Sequence, residues 1–286
     1  MAVSSHGLLE AIGQPDRRPL VMGILNLTPD SFADGGRHRG LEAALAAAHR
    51  MVEEGADLLD LGGESTRPGA RPVPPQQEVA RVLPVLRALR RELSIPLSVD
   101  TSEPLLMREA VAAGAAMIND VRALRRPGAL AAVADSEVAV CLMHMQGEPA
   151  NMQAAPHYED VTQAVGDFLE ARLVACEAAG VARERVVLDP GFGFGKRTTH
   201  NLQLLAGLER LRRRLGRPLL VGLSRKRSLG ELLDERPVEG RLHASVAAAL
   251  VAAQRGARLV RVHDVGPTVD ALRIWEAVRR TQESEG

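Results

Sequence analysis

The chain has 286 residues, 45% of them hydrophobic but only 2% aromatic, so any large core must be built from Leu, Val, Ile and Ala. Lys plus Arg balances Asp plus Glu at 36 each, which leaves no basic or acidic excess to draw the chain to nucleic acid or to a membrane surface. No apolar stretch approaches the ~18 residues of a membrane span. The N-terminus MAVSSHGLLEAIGQPDRRP lacks the charged start and apolar run of a signal peptide, and Cys141 and Cys176 are too far apart for a metal-type spacing. A reduced, cytoplasmic setting is the expectation, with neither nucleic acid nor membrane as a partner.

Taken in order, the first 18 residues read as a flexible lead. Eight short apolar runs follow: LVMGIL (20–25), LLDLG (58–62), LSVDT (97–101), MINDV (117–121), VAVCLM (138–143), VVLDP (186–190), LLVGLS (219–224) and LVRVHD (259–264). Near-continuous apolar runs of this length are what strands buried on both faces require. Between them lie amphipathic stripes: Leu41, Leu45, Ala48 and Val52; Val79, Val82, Leu86, Leu89 and Leu93; Val161, Val165, Phe168 and Cys176; and Leu204, Leu208, Leu211 and Leu215. The link 122–137 has room only for a short helix. RPGARPVPP (67–75) is a stiff loop, not a domain boundary. Residues 281–286 read as a frayed tail, which leaves one domain with a core of about 20–280.

Strand and helix in alternation give a parallel sheet with right-handed crossovers. Eight units, with no single glycine-rich turn dominating, favour a single eight-stranded parallel (β/α)8 TIM barrel of the α/β class; an open doubly wound sheet is the other arrangement that fits.

In a barrel the C-terminal ends of the strands surround the site. Those ends carry Asn26, Asp60, Asp100, Asn119, Met143 with His144, Asp189, Ser224 with Arg225 and Lys226, and Arg261 with His263 and Asp264. Any one of them could be an ordinary cap or turn residue. All at one rim, they read as a site. Arg261 and His263 are two apart and so share a side of their strand, which suits an anion such as phosphate; the competing reading is an ion pair between Arg261 and Asp264 or another rim carboxylate. Asp100, Asn119 and Asp189 suit a flat heterocycle with an amidine-like edge. Asp120 reads as a structural cap. DPGFGFGK (189–196) lacks the Ser or Thr that a P-loop needs after Lys196, and reads as a mobile glycine-rich loop that carries Phe194 over the pocket. His38, His49, His157, His200 and His243 show no metal spacing.

The motifs GILNLTPDSFADGG, LDLGGESTRPGA, SVDT, INDV, MHMQG, LDPGFGFGK, VGLSRK and RVHDV resemble, in order, those of the dihydropteroate synthase family, over roughly residues 20 to 280. The resemblance implies a β/α barrel that joins 6-hydroxymethyl-7,8-dihydropterin diphosphate to 4-aminobenzoate. It matches Asp100, Asn119 and Asp189 to the pterin hydrogen-bonding positions and Met143 to one that packs on the pterin. Lys226 falls at a position between the pterin and the aminobenzoate, while Arg261 and His263 match the diphosphate binders. Asn26 matches the Mg²⁺ ligand, and Thr66, Arg67, Pro68 and Phe194 match the aminobenzoate pocket. It further implies susceptibility to sulfonamides and a homodimer through 242–253 and 269–278. Arg227 departs from the family, which often has Ser there. A methyltransferase acting from a tetrahydrofolate to a corrinoid would share the Asp and Asn contacts, and a catalytically silent pterin-binding homologue is the non-enzyme alternative.

Overall fold

The structure is a computed structural model and describes residues 4–28, 36–65, 69–70 and 72–284. Helix α1 (Ser5–Gly13) precedes eight strand-and-helix units. These are β1 (Leu20–Asn26) with α2 (Gly36–Glu53), β2 (Leu58–Gly62) with α3 (Pro75–Glu92), β3 (Leu97–Asp100) with α4 (Pro104–Ala112), and β4 (Met117–Asp120) with α5 (Ala129–Ala134). The second half runs β5 (Ala139–Met143) and α6 (Val161–Ala178), β6 (Val186–Asp189) with α7 (Thr198–Ala206) and α8 (Leu208–Leu215), β7 (Leu220–Val221) with α9 (Arg227–Glu231) and α10 (Leu242–Gln254), and β8 (Leu259–Val262) with α11 (Val265–Ser284).

Every strand pairing is parallel, in the order β6-β5-β4-β3-β2-β1-β8-β7. A parallel bridge between Leu188 and Leu219 joins the two ends. The ring is therefore closed, and the doubly wound alternative is excluded.

Period-two alternation explains both layers of the core. Along β2, Leu59 and Leu61 pack outward into the large cluster under the helices, while Leu58 faces the barrel interior with Leu20, Met22, Met117, Val187 and Leu259. The interior is apolar at its base and turns polar one step up each strand. Asp60, Asn119 and Asp189 stand two residues beyond the inward-facing Leu58, Met117 and Val187, while Asp100 follows the buried Ser98, and the register sets Gly62 beside Asp100, Asp100 beside Asn119, and Met143 beside Asp189.

Three expectations change. The lead segment is not a flexible arm over its described residues: Leu8 and Ile12 of α1 are fully buried and plug the barrel base against Leu20, Met22, Leu58 and Leu220. Ser4 caps that helix by accepting from the Gly7 N–H at 3.3 Å. Without the plug a ring of aliphatic side chains would face water. At the other end, Thr281 to Ser284 continue α11 and do not form a separate tail. The stripe from Leu204 to Leu215 is also two helices, not one. They meet at Gly207, where a Cβ would come within 2.8 Å of Thr162 Oγ1 on α6.

Candidate active site

The interior polar layer is organised around one guanidinium. Arg261 Nε donates to Asp60 Oδ2 at 2.6 Å, and its Nη2 donates to Asp100 Oδ2 at 2.9 Å. Asn119 Nδ2 donates to the same Asp60 oxygen at 3.0 Å. Asp60 is 0% exposed, and its Oδ1 has no partner among the described residues. Burial pushes the Asp100 carboxyl up to about 7, with Arg261 opposing and Asp60 and Asp120 adding to the rise. Burial also raises Asp189, against the pull of the Gly191 N–H that its Oδ1 accepts at 2.7 Å and of Lys226 and Lys196. Burial works against the Arg261 charge, but Asp60 and Asp100 outweigh it and hold the guanidinium above its usual range.

Of the two sequence readings of Arg261, the described geometry is the ion pair, though not with Asp264. That carboxylate is taken by Arg225 in a two-pronged pair at 2.5 and 3.0 Å. Arg225 sits in the left-handed region at φ 57, which turns the chain out of β7 and explains why that strand ends well before 224. The turn delivers Lys226, whose Nζ lies 4.1 Å from the centre of the Phe194 ring. Phe194 completes a small apolar cluster with Val121, Met143, Met145 and Met152. His263 is half-buried; its N–H donates to Ser224 Oγ at 3.1 Å, and its Nδ1 lies 3.1 Å from the same oxygen. Burial, then Arg261 and Arg225, push its imidazole down to about 4, so it is neutral at pH 7.

The structure thus gathers Asp100, Asn119, Met143, Asp189, Phe194, Lys226, Arg261 and His263 at one mouth, with Asn26 as the last residue of β1 on the same rim. Thr66, Arg67 and Pro68 lie outside the described residues. Arg227 starts α9 with a side chain 84% exposed, held by Glu231 at 2.7 Å. Asp120 is a cap as expected: it accepts from the N–H groups of Arg122 and Leu124 at 2.8 and 2.7 Å and from the Ser102 hydroxyl. The sequence reading set Asp60 on the rim but gave it no role, although an Asp in the otherwise apolar run LLDLG was a signal of one. The glycine-rich loop is also not slack: Gly193 N–H donates to Asn201 Oδ1 at 2.8 Å, and Tyr158 Oη donates to the Gly195 carbonyl at 2.8 Å.

Concavity alone points elsewhere. A depression of about 610 Å³ lies at the barrel base, walled by Arg212, Arg217, Arg258 and Trp275. Arg258 and Arg217 there donate to backbone carbonyls of Ile12, Arg17, Val186 and Glu184, so these two are structural braces.

No group of three or more His, Cys, Asp or Glu side chains among the described residues is arranged to hold a metal ion. Among the described residues, a Mg²⁺ ion would find one neutral amide at the rim and would bring waters and phosphate oxygens of its own. The part-buried Asn26 at the rim can supply that amide.

Residues 22–263 match the family model described as pterin binding enzyme. The chain belongs to this family. A dihydropteroate synthase of Escherichia coli strain K12 is 49% identical over 267 residues, covering 93% of this chain and 94% of that one. The structure of a Xanthomonas albilineans dihydropteroate synthase with 4-aminobenzoic acid is 59% identical, with a TM-score of 0.87 over 92% of this chain and 94% of that chain. A Yersinia pestis dihydropteroate synthase in complex with a sulfonamide drug is 52% identical, with a TM-score of 0.87 over 92% of this chain and 95% of that chain. Identities near one half over nearly the whole length place the chain with the dihydropteroate synthases of the family. No helix among the described residues is long and apolar enough to cross a membrane.

Proposed function

We propose that this chain joins 6-hydroxymethyl-7,8-dihydropterin diphosphate to 4-aminobenzoate, releasing diphosphate and 7,8-dihydropteroate, as the condensing step of folate biosynthesis in the cytoplasm. The observation that carries the reading is the buried ring of Asp60, Asp100, Asn119 and Asp189 closed by Arg261. Carboxylates pushed above their ordinary range by burial are best compensated by a ligand that donates hydrogen bonds and gains positive charge. A dihydropterin offers both: its amidine-like edge donates to Asp100 and Asp189, and Asn119 can donate and accept alongside. Met143 packs on its face.

The reaction then follows from charge placement. The C–O bond beside the pterin ring breaks with its electron pair leaving on diphosphate, and the ring nitrogen delocalises the positive charge that remains. Asp100, ionised and paired with Arg261 Nη2 at 2.9 Å, stabilises that charge as it develops. Arg261 and His263 receive the leaving group, and the neutral imidazole is able to take a proton beside the new phosphate charge. Asn26 would hold Mg²⁺, which would supply further neutralisation of the diphosphate. The amine of 4-aminobenzoate, ordered by Phe194, Lys226 and the segment Thr66 to Pro68, attacks the methylene carbon, and the proton it then loses passes to the released diphosphate. The backbone N–H of Arg227 is retained whatever the side chain.

The test is direct. Purified protein with both substrates and Mg²⁺ forms dihydropteroate; pterin binding without product would mark a silent homologue. We also propose a homodimer through α10 and α11. Ile274 and Val278, one turn apart on α11, are 69% and 55% exposed. Replacing both by Asp is expected to leave a monomer by light scattering, and a monomeric parent at micromolar concentration would reject the pairing.

A further inference from the structure

The residue that the proposed mechanism leaves unused is Lys196, the last of the DPGFGFGK run. It is only 3% exposed, although it lies in a loop between β6 and α7. Its Nζ is 2.8 Å from the Gly191 carbonyl, 3.1 Å from the Phe194 carbonyl and 2.9 Å from His144 Nδ1, with the His144 carbonyl at 3.4 Å. An ammonium has three donors and no acceptor, so every one is directed to a loop carbonyl or to that ring nitrogen.

Burial brings the Lys196 ammonium down to about 7, with Asp189 opposing; when Lys196 is charged, the ring nitrogen accepts and the imidazole proton sits on Nε2. His144 is suited to this: burial and then Lys196 push it down to about 2, so it is neutral. Its ring stands edge-on to Phe168 at 5.0 Å, and its N–H donates to the Asp189 carbonyl at 2.9 Å. His144 thus gives Lys196 a fixed anchor on the end of β5. The loop itself is pressed against the same strand end. Gly191, at φ +71, would put a Cβ 1.8 Å from the His144 carbonyl oxygen. Two loops whose carbonyls converge this closely repel each other unless a donor sits between them, and Lys196 is that donor.

We infer that Lys196 is a positioning residue for the amine acceptor: by tying the Gly191 and Phe194 carbonyls to His144, it sets the Phe194 ring against Lys226. The aromatic wall and the ammonium facing it would then be ordered before substrate arrives. This rests on the proposed function in one respect only, that Phe194 and Lys226 face 4-aminobenzoate.

The experiment is a double-mutant cycle of Lys196→Met and Phe194→Leu, read by steady-state kinetics and by amide hydrogen exchange over 191–196. Lys196→Met is expected to raise KM for 4-aminobenzoate about tenfold, in line with the loss of a charge-assisted hydrogen bond. KM for the pterin diphosphate should stay within about twofold, and exchange at Gly193 to Gly195 should accelerate. In the Phe194→Leu background, Lys196→Met should add no further KM increase. If it raises KM equally in both backgrounds, or leaves the loop amides as protected as before, the positioning role is overturned. Should Lys196→Met not fold, Lys196→Gln, which keeps two donors, is read by the same criteria. If Phe194→Leu alone leaves KM unchanged while the loop amides still loosen in Lys196→Met, the assignment of Phe194 to the aminobenzoate pocket fails and the anchoring role of Lys196 stands.

Discussion

Replacing Arg261 by Leu removes the only cation bonded to Asp60 and Asp100 among the described hydrogen bonds. Both carboxylates then remain buried, one of them fully. Breaking a buried pair by deleting one partner costs about 3–5 kcal/mol, against a total stability of roughly 5–15 kcal/mol, so the variant should fold but with little margin. At roughly 2–4 °C per kcal/mol for a chain of this size, the melting temperature should fall by about 10 °C. The loss should depend on pH with a definite sign. Asp100 already titrates at about 7 in the folded chain, above its ordinary 3.8, because burial outweighs Arg261. A raised folded value means that the native state holds a proton that the unfolded state releases, so stability declines as pH rises toward the folded value. Without Arg261 that value moves higher, and the decline continues above pH 7. Urea midpoints of parent and variant should therefore be closer at pH 5.5 than at pH 8. Arg261→Lys, which keeps the charge but cannot reach both carboxylates with a planar fork, should fall between them. Because Arg261 bonds Asp100 and, in the proposed reaction, also receives the diphosphate, pterin affinity should drop along with turnover, which itself should fall ten- to a hundredfold, roughly the worth of one charged hydrogen bond. Equal midpoint losses at both pH values, or unchanged pterin affinity, would refute the shared role.

Glu78→Gln should stabilise the chain at pH 8 by up to roughly 3 kcal/mol but hardly at pH 5. Burial lifts Glu78 to about 7, Thr101 opposes and Glu64 adds, so the parent loses stability as pH rises from 5 to 7 and the amide does not; parallel melting curves across that range would contradict this. Excess EDTA should remove most turnover and added Mg²⁺ restore it, whereas full turnover in the chelator would eliminate the role given to Asn26. Aromatic sulfonamides should compete with 4-aminobenzoate and bind more tightly once pterin diphosphate is present, because the bound pterin would add contacts beside Phe194 and Lys226 that the drug otherwise lacks. Calorimetry that finds the same affinity with and without the pterin would dismiss those contacts.

The barrel was legible because parallel strands, buried on both faces, leave short aliphatic runs that stop at a polar residue. All eight runs are strands, and most bounds agree within a residue or two. The exception is β7, which stops at Val221, ahead of a turn where Arg225 captures Asp264, a contact between residues 39 apart that no local pattern encodes. The site was legible as a list of rim residues but not as a network. Whether Arg261 faces a ligand or a carboxylate depends on its placement against Asp60, 201 positions away, and that follows only once β1 has brought β2 and β8 to its two sides. Helix α1 was missed because LLEAI is too short to declare an amphipathic face; it earns its structure from the open barrel base beneath it.

The two ends of the barrel interior meet opposite demands with the same strands. At the base, aliphatic residues from seven of the strands and the α1 plug remove water and satisfy themselves by packing. Two residues further along, the same alternation delivers carboxylates that burial pushes above their ordinary range, and among the described residues one guanidinium directly bonds two of the layer's carboxylates. Such a layer is costly to fold, and the apolar base and outer core must offset it. In the proposed reaction, what the chain gains is a field prepared for a cation that exists only while the diphosphate is leaving. A layer neutralised by a second arginine would fold more easily and would stabilise that cation less. The unpaired oxygen of Asp60 and the raised carboxyl of Asp100 are therefore two sides of one arrangement, in which stability is given up where positive charge is due to appear.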